Sequence, residues 1–109
     1  MDKFPDKDPG EVLDYSFHFA ELLDDTLELD TSAVVVESCD PAEDVFALTV
    51  SNVSRQESDT VGIQDTVVFW LTGGTEGTKY VLKATVSDDQ NAPEDRTFVR
   101  RASIKIKKR

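Results

Sequence analysis

The sequence predicts an all-β fold: an immunoglobulin-like antiparallel β-sandwich of six or seven strands with an extended N-terminal arm. Three observations carry that expectation. Short apolar runs recur at spacings of about ten residues, with turn signals between them. Several of the runs alternate apolar and polar residues with period two. Residues 66–87 join two such runs through a glycine-rich reversal that ends at a tyrosine. A small barrel is the alternative architecture.

The 66–87 stretch organises the rest. In its first run Val67, Phe69 and Leu71 alternate with Val68 and Trp70. Nearly every side chain there is bulky, so the strand is expected to be covered on both faces or central, with Trp70 buried. In its second run Tyr80, Leu82, Ala84 and Val86 form one face, and Val81, Lys83, Thr85 and Ser87 the other. Gly73, Gly74 and Gly77 supply the positive φ angles that a tight reversal needs. Leu71, Gly77 and Tyr80 stand in the order of a tyrosine corner, whose phenol bonds to backbone upstream and locks a crossing between two sheets. An ordinary hairpin with an exposed tyrosine is the bland reading of the same residues.

The chain divides into an arm, residues 1–11, and a sandwich domain, residues 12–109. In the arm Pro5 and Pro9 restrict φ and favour extended, polyproline-like backbone. Phe4 is its one apolar anchor; it is either frayed or a means of gripping a neighbour. On the second reading, deleting residues 1–10 leaves the fold intact and abolishes assembly. The first strand is expected at 12–19, with Leu13, Tyr15, Phe17 and Phe19 on one face and Asp14, Ser16 and His18 on the other. A helix from Glu11 to Leu29 would scatter these aromatics around its cylinder. Ala20 to Asp30 is a connection, with Leu22, Leu23, Leu27 and Leu29 tucked beneath it. Residues 33–38 form a strand by β-branching. Asp40-Pro41-Ala-Glu-Asp44 is a turn, and 45–50 a third strand. Val53 to Ile63 is a loop or a short, charged edge strand. Asp88 to Asp95 is a loop. In the last strand, about 97–107, Ala102, Ile104 and Ile106 face in while Arg101, Ser103, Lys105 and Lys107 face out.

The length of 109 residues fits one domain, which leaves about a third of its unfolded surface exposed. With 39% hydrophobic residues the core must be economical, which suits a sandwich. Net charge is −10 and unevenly spread. Residues 1–60 hold 16 acidic and 3 basic residues; residues 96–109 hold seven Arg or Lys and no acid. Such polarity suits contact with itself, with a copy of itself or with an acidic partner. Arg100, Arg101, Lys105 and Lys107 are the candidate basic surface. An acidic body disfavours duplex nucleic acid. No stretch reaches the length of a membrane span, the opening residues do not read as a secretory signal, and Cys39, the single cysteine, allows no internal disulfide. Synthesis in a cytoplasm is therefore expected, with the protein staying soluble or joining an assembly built there.

Residues for chemistry are sparse. His18 is the only imidazole, and no Ser or Cys stands immediately next to it. Cys39 beside Asp40 gains no reactivity, because a carboxylate raises a thiol's pKa. The Gly73–Gly77 run lacks the Gly-Lys-Ser/Thr ending of a phosphate loop. The paired carboxylates Asp24-Asp25, Asp88-Asp89, Glu94-Asp95 and Asp6–Asp8 have no calcium-loop spacing, and nothing supports zinc. No catalytic residue, metal or cofactor is expected, and a non-enzymatic scaffold is.

Two stretches resemble a known group. Phe4-Pro-Asp-Lys-Asp-Pro-Gly-Glu-Val-Leu-Asp-Tyr-Ser-Phe17, and Phe69-Trp-Leu-Thr-Gly-Gly-Thr-Glu-Gly-Thr-Lys-Tyr-Val-Leu-Lys-Ala-Thr-Val86 followed by Arg96-Thr97 and the final strand, are similar to small virion proteins of tailed bacteriophages of the fiber–tail adaptor type. That resemblance implies a β-sandwich built into the virion near the neck or tail. It would link connector or tail to fibres by protein–protein contacts, as a homo-oligomeric ring. Residues 39–64 look longer and more acidic than the group suggests. A capsid decoration protein of the same fold is the next reading. A carbohydrate-binding module is a third, weakened by the expected burial of Trp70.

Overall fold

The computed structural model describes residues 2–19, 29–41, 47–57, 64–88 and 97–108. Among them are seven strands and no α-helix. They are β1 (Asp2–Lys3), β2 (Val12–His18), β3 (Leu29–Asp40), β4 (Leu48–Glu57), β5 (Gln64–Gly73), β6 (Lys79–Asp88) and β7 (Thr97–Lys105). One sheet has the order β1-β7-β6-β3, the other β2-β5-β4. All pairings are antiparallel except β1 with β7. The expectation of an all-β sandwich therefore holds.

The core lies between the sheets and follows the period-two pattern. Phe17, Val67, Phe69 and Leu71 come from the three-stranded sheet. Tyr80, Leu82, Ala84, Val86, Ala102 and Ile104 come from the four-stranded one. Burying each aliphatic or aromatic side chain of this kind is worth about 1.5–3 kcal/mol.

Five expectations change. β5 is central but covered on one face only: Val67, Phe69 and Leu71 are sealed, while Trp70 on the opposite face is 38% exposed. An apolar run reads as doubly buried, yet on that outer face Val68 is only half-buried and Trp70 is open to solvent. The objection that Trp70 would be hidden from a sugar therefore falls. Next, part of the weakly patterned 53–63 segment extends β4 to Glu57, at the edge of its sheet. Asn52 takes φ 51°, which asparagine tolerates, and the register shifts between Ser51 and Ser54, so the strand bulges and continues. Third, β3 starts earlier than position 33 and ends at Asp40. Fourth, the arm is not solely polyproline-like: Asp2 and Lys3 pair with Ala102 and Ser103, and Lys7 bridges to Ile106. Fifth, Asp88, expected to open a loop, instead ends β6. Leu22, Leu23 and Leu27, the carboxylates Asp24 and Asp25, Val45 and Phe46 of the expected third strand, and residues 89–95 of the expected loop lie outside the described residues.

Candidate interaction surface

The site is built from the arm inward. Asp8-Pro9-Gly10-Glu11 forms a turn in which the Glu11 N–H donates to the Asp8 carbonyl (3.0 Å). The Asp8 N–H donates back to Glu11 Oε1 (2.8 Å), and the Gly10 N–H to Asp8 Oδ1 (2.8 Å). Pro9 at the second position presets φ for this turn; Pro5 is exposed. The reversal sends residues 2–7 back along β7. The Phe4 N–H donates to the Ser103 carbonyl (2.8 Å), the Lys7 N–H to that of Lys105 (3.0 Å), and the Lys107 N–H to that of Lys7 (2.8 Å).

Two side chains lock the arm. The half-buried Phe4 ring packs on Tyr15, Phe17 and Phe69 at centroid distances of 5.0, 5.3 and 6.0 Å. Lys7 is fully buried, and its ammonium donates to the carbonyls of Gly73 (2.7 Å) and Asp8 (2.9 Å). Burial holds its pKa below the ordinary 10.5, against the opposing pull of Glu11 and Asp8. The sequence offered no sign of this: a lysine among Asp and Pro reads as solvated. Phe4, expected to fray or to grip a neighbour, packs here on its own chain.

Lys7 reaches the glycine corner. Gly73, Gly74 and Gly77 have φ of 82°, 101° and 84°. A Cβ on Gly74 would lie 2.7 Å from Ile106 Cγ1, so the corner fits against the end of β7 only as glycine. The Tyr80 phenol oxygen accepts the Thr75 N–H at 3.0 Å, and the Tyr80 side chain is buried. Leu71, two residues before the end of β5, is buried in the core between the sheets. The bond from phenol to upstream backbone is the one the sequence suggested for Tyr80, and β5 and β6 belong to different sheets.

Arm and corner together place the cations. On the outer face of β6 and β7, Lys79 stands opposite Lys105, Val81 opposite Ser103, and Lys83 opposite Arg101. Lys3, opposite Ser103 on β1, adds a third ammonium at the second of these rungs, next to the Lys79–Lys105 pair. Lys3, Lys79, Ser103 and Lys105 line a groove of about 150 Å³. At the other like-charged rung Arg101 Nε donates to Glu37 Oε2 of β3 at 2.8 Å. That bond draws the Glu37 pKa down and raises that of Arg101. Among the described residues Glu37–Arg101 is an ion pair, and Lys3, Lys79 and Lys105 have none.

The four cations singled out in the sequence do not form one row. Arg101 and Lys105 point outward as expected, and Lys107 is exposed beyond the strand. Arg100 has the inward parity, with its guanidinium carbon 5.8 Å from the centroid of the Phe19 ring. Ser103, expected to face solvent, is buried between its in-register neighbours Lys3 on β1 and Val81 on β6.

One group of chemical residues does come together. His18 Nε2 lies 3.2 Å from Ser16 Oγ, and its Nδ1 lies 3.2 Å from Thr66 Oγ1, which donates to Asp65 Oδ1 at 3.1 Å. Ser16 is two residues from His18 on the same strand face, a neighbour that adjacency in sequence misses. The cluster sits on an open sheet face with a hydroxyl, not a carboxylate, against Nδ1, so it lacks the group that orients a catalytic base. No group of three metal-ligating side chains occurs among the described residues, and they contain no helix long and apolar enough to cross a membrane.

Comparison with known proteins then gives a family. A family model described as podophage GP4 fiber-tail adaptor protein gp77 matches residues 7–101. Searches of curated proteins and of solved structures found no match. The family match spans most of the 109 residues, so the chain belongs to the podophage fiber-tail adaptor family. It is a structural adaptor of the phage virion.

Proposed function

We propose that this protein links the connector or tail of a podophage to its fibres through protein–protein contacts alone, at the neck or tail, as a ring of identical copies made in the host cytoplasm. The observation that carries the reading is the family match over residues 7–101. The fold supplies the means. A braced two-sheet scaffold presents its strand faces rigidly, and rigid presentation lowers the entropy lost on assembly. The surface combines a basic patch on one sheet with a strongly acidic chain, which favours contacts specific in register. We also read the strand order as immunoglobulin-like: β2, β5 and β4 take the places of the B, E and D strands, and β3, β6 and β7 those of C, F and G. A solved structure with β2 paired to β3 would break that assignment.

The test uses phage lacking this gene. Particles are expected to package heads and lose their fibres, and purified protein added back is expected to restore them. Normally fibred particles without the protein would end the adaptor reading.

A further inference from the structure

We propose that the groove between Lys3, Lys79, Ser103 and Lys105 receives carboxylates from an acidic segment of a second copy of this chain; the inference deepens the ring reading above and rests on it.

The case starts from cost. Lys79 and Lys105 face each other directly across β6 and β7, and like charges so placed are unfavourable. The same sheet shows how this chain relieves such a rung, because Glu37 is hydrogen-bonded to Arg101 two rungs away. At the lysine rung the fold does the reverse. It brings a third ammonium, Lys3, to the adjoining Ser103 position, lining the same groove, by docking the arm through Phe4 and Lys7. Asp40 stands in register with Lys79 and makes no ion pair with it. Three flexible ammoniums around a hydroxyl form a set of donors for carboxylate oxygens.

The chain's own composition names the occupant. Residues 1–60 carry 16 acids against 3 bases, so every copy offers what the groove lacks. A basic face that meets a different, acidic face of the next copy is a heterologous contact, and such contacts close into rings when the rotation permits. Two chains of net charge −10 repel at long range, but the Debye length is about 10 Å at about 0.1 M salt. At that ionic strength the contact pairs survive and the long-range repulsion is damped.

The experiment measures the mass of the full-length protein in solution at about 0.1 M and about 0.5 M salt. The proteins are wild type, the triple variant Lys3→Gln/Lys79→Gln/Lys105→Gln, and Lys83→Gln. Wild type and Lys83→Gln are expected to associate at the lower salt and dissociate at the higher. The triple variant is expected to associate at least about tenfold more weakly, since exposed pairs contribute a few tenths to one kcal/mol each. Its melting temperature is expected to equal or exceed that of wild type, because relieving like charges does not weaken the monomer. Carbodiimide cross-linking of mixed light and heavy isotope copies gives a readout independent of any variant: Lys3, Lys79 or Lys105 joined to Asp or Glu of another copy. A wild type that stays monomeric at both salts overturns the proposal, and so does a triple variant that associates normally. Duplex DNA bound by wild type and lost in the triple variant, with self-association unchanged, would make phosphate the ligand and overturn it too. None of these outcomes touches the adaptor role, which stands or falls on fibres in the deletion phage.

Discussion

Two rungs on one face of the four-stranded sheet carry the same charge and are treated oppositely. At Lys83–Arg101 a carboxylate from β3 completes the set, and the rung is settled within the chain. Beside Lys79–Lys105 the fold adds another cation, Lys3, in the same groove. The first arrangement is what a solvated sheet face needs. The second leaves electrostatic work undone, and it sits where the arm, the glycine corner and the end of β7 are fastened together by Lys7, Gly74 and Tyr80. Charge alone does not distinguish a surface that faces water from one prepared for a partner. On the proposal above, its neutralisation within the chain does.

The largest way to break the comparison is Gly74→Ala. A Cβ there meets Ile106 at 2.7 Å with φ at 101°, so the corner must part from β7. We expect a loss of about 3 kcal/mol, or about 10 °C in Tm, measured by thermal unfolding. Amide exchange should rise at Ile106 and Gly77 first, while Lys83 and Arg101 keep their protection. Next comes Phe4→Ala. Phe4 is half-buried against three rings, so its truncation is expected to cost about 2 kcal/mol. It should release the Phe4 and Lys7 amides to fast exchange and withdraw Lys3 from the groove. An arm that served only a neighbour would leave monomer stability unchanged when Phe4 is truncated.

How much of this could be read beforehand follows from what each signal depends on. The inward faces of β2, β6 and β7 were legible because period-two alternation is a local property: Phe17, Leu82 and Ile104 declare themselves. Tyr80 was legible because its corner is built from residues close in sequence. The paired lysines were not, since the meeting of Lys79 with Lys105 depends on the register of β6 against β7, and nothing local sets it. Lys7 was hidden for a different reason. Its burial is set by a carbonyl 66 residues away that needs a donor, and a polar neighbourhood in sequence masks an apolar one in space. Trp70 misled because apolar content was taken for burial on both sides of β5. Arg100 misled because a run of cations was read as a face, when adjacent strand residues point to opposite sides.

Lys7 sharpens the comparison through alkaline pH. Its pKa is lowered in the folded state, so above that value the unfolded chain holds more protons than the folded one. Its contribution to stability therefore improves as pH rises from the folded value toward the ordinary 10.5. Urea unfolding of wild type and Lys7→Met across that window should show wild type gaining relative to the variant. Other lysines and tyrosines titrate in both proteins and cancel in the difference. A flat difference would mean that burial of the Lys7 ammonium on the Gly73 carbonyl is fully offset by its hydrogen bonds and neighbouring carboxylates, with no net shift.

The smallest effect separates the two rungs most directly. Glu37 has its pKa lowered, chiefly by the hydrogen bond from Arg101, so its contribution is present above its ordinary 4.5 and is lost as pH falls through the folded value. Both partners are well exposed, and the effect is small and weakened by salt. The stability difference between wild type and Glu37→Gln should shrink as pH is taken from about 6 to about 3. The difference between wild type and Lys79→Gln should stay flat over the same range in the monomer, because no carboxylate of the described residues is paired with that lysine. Under conditions where copies associate, the Lys79→Gln difference should become acid-sensitive as well. The carboxylate that settles the lysine rung would then be arriving from outside the chain.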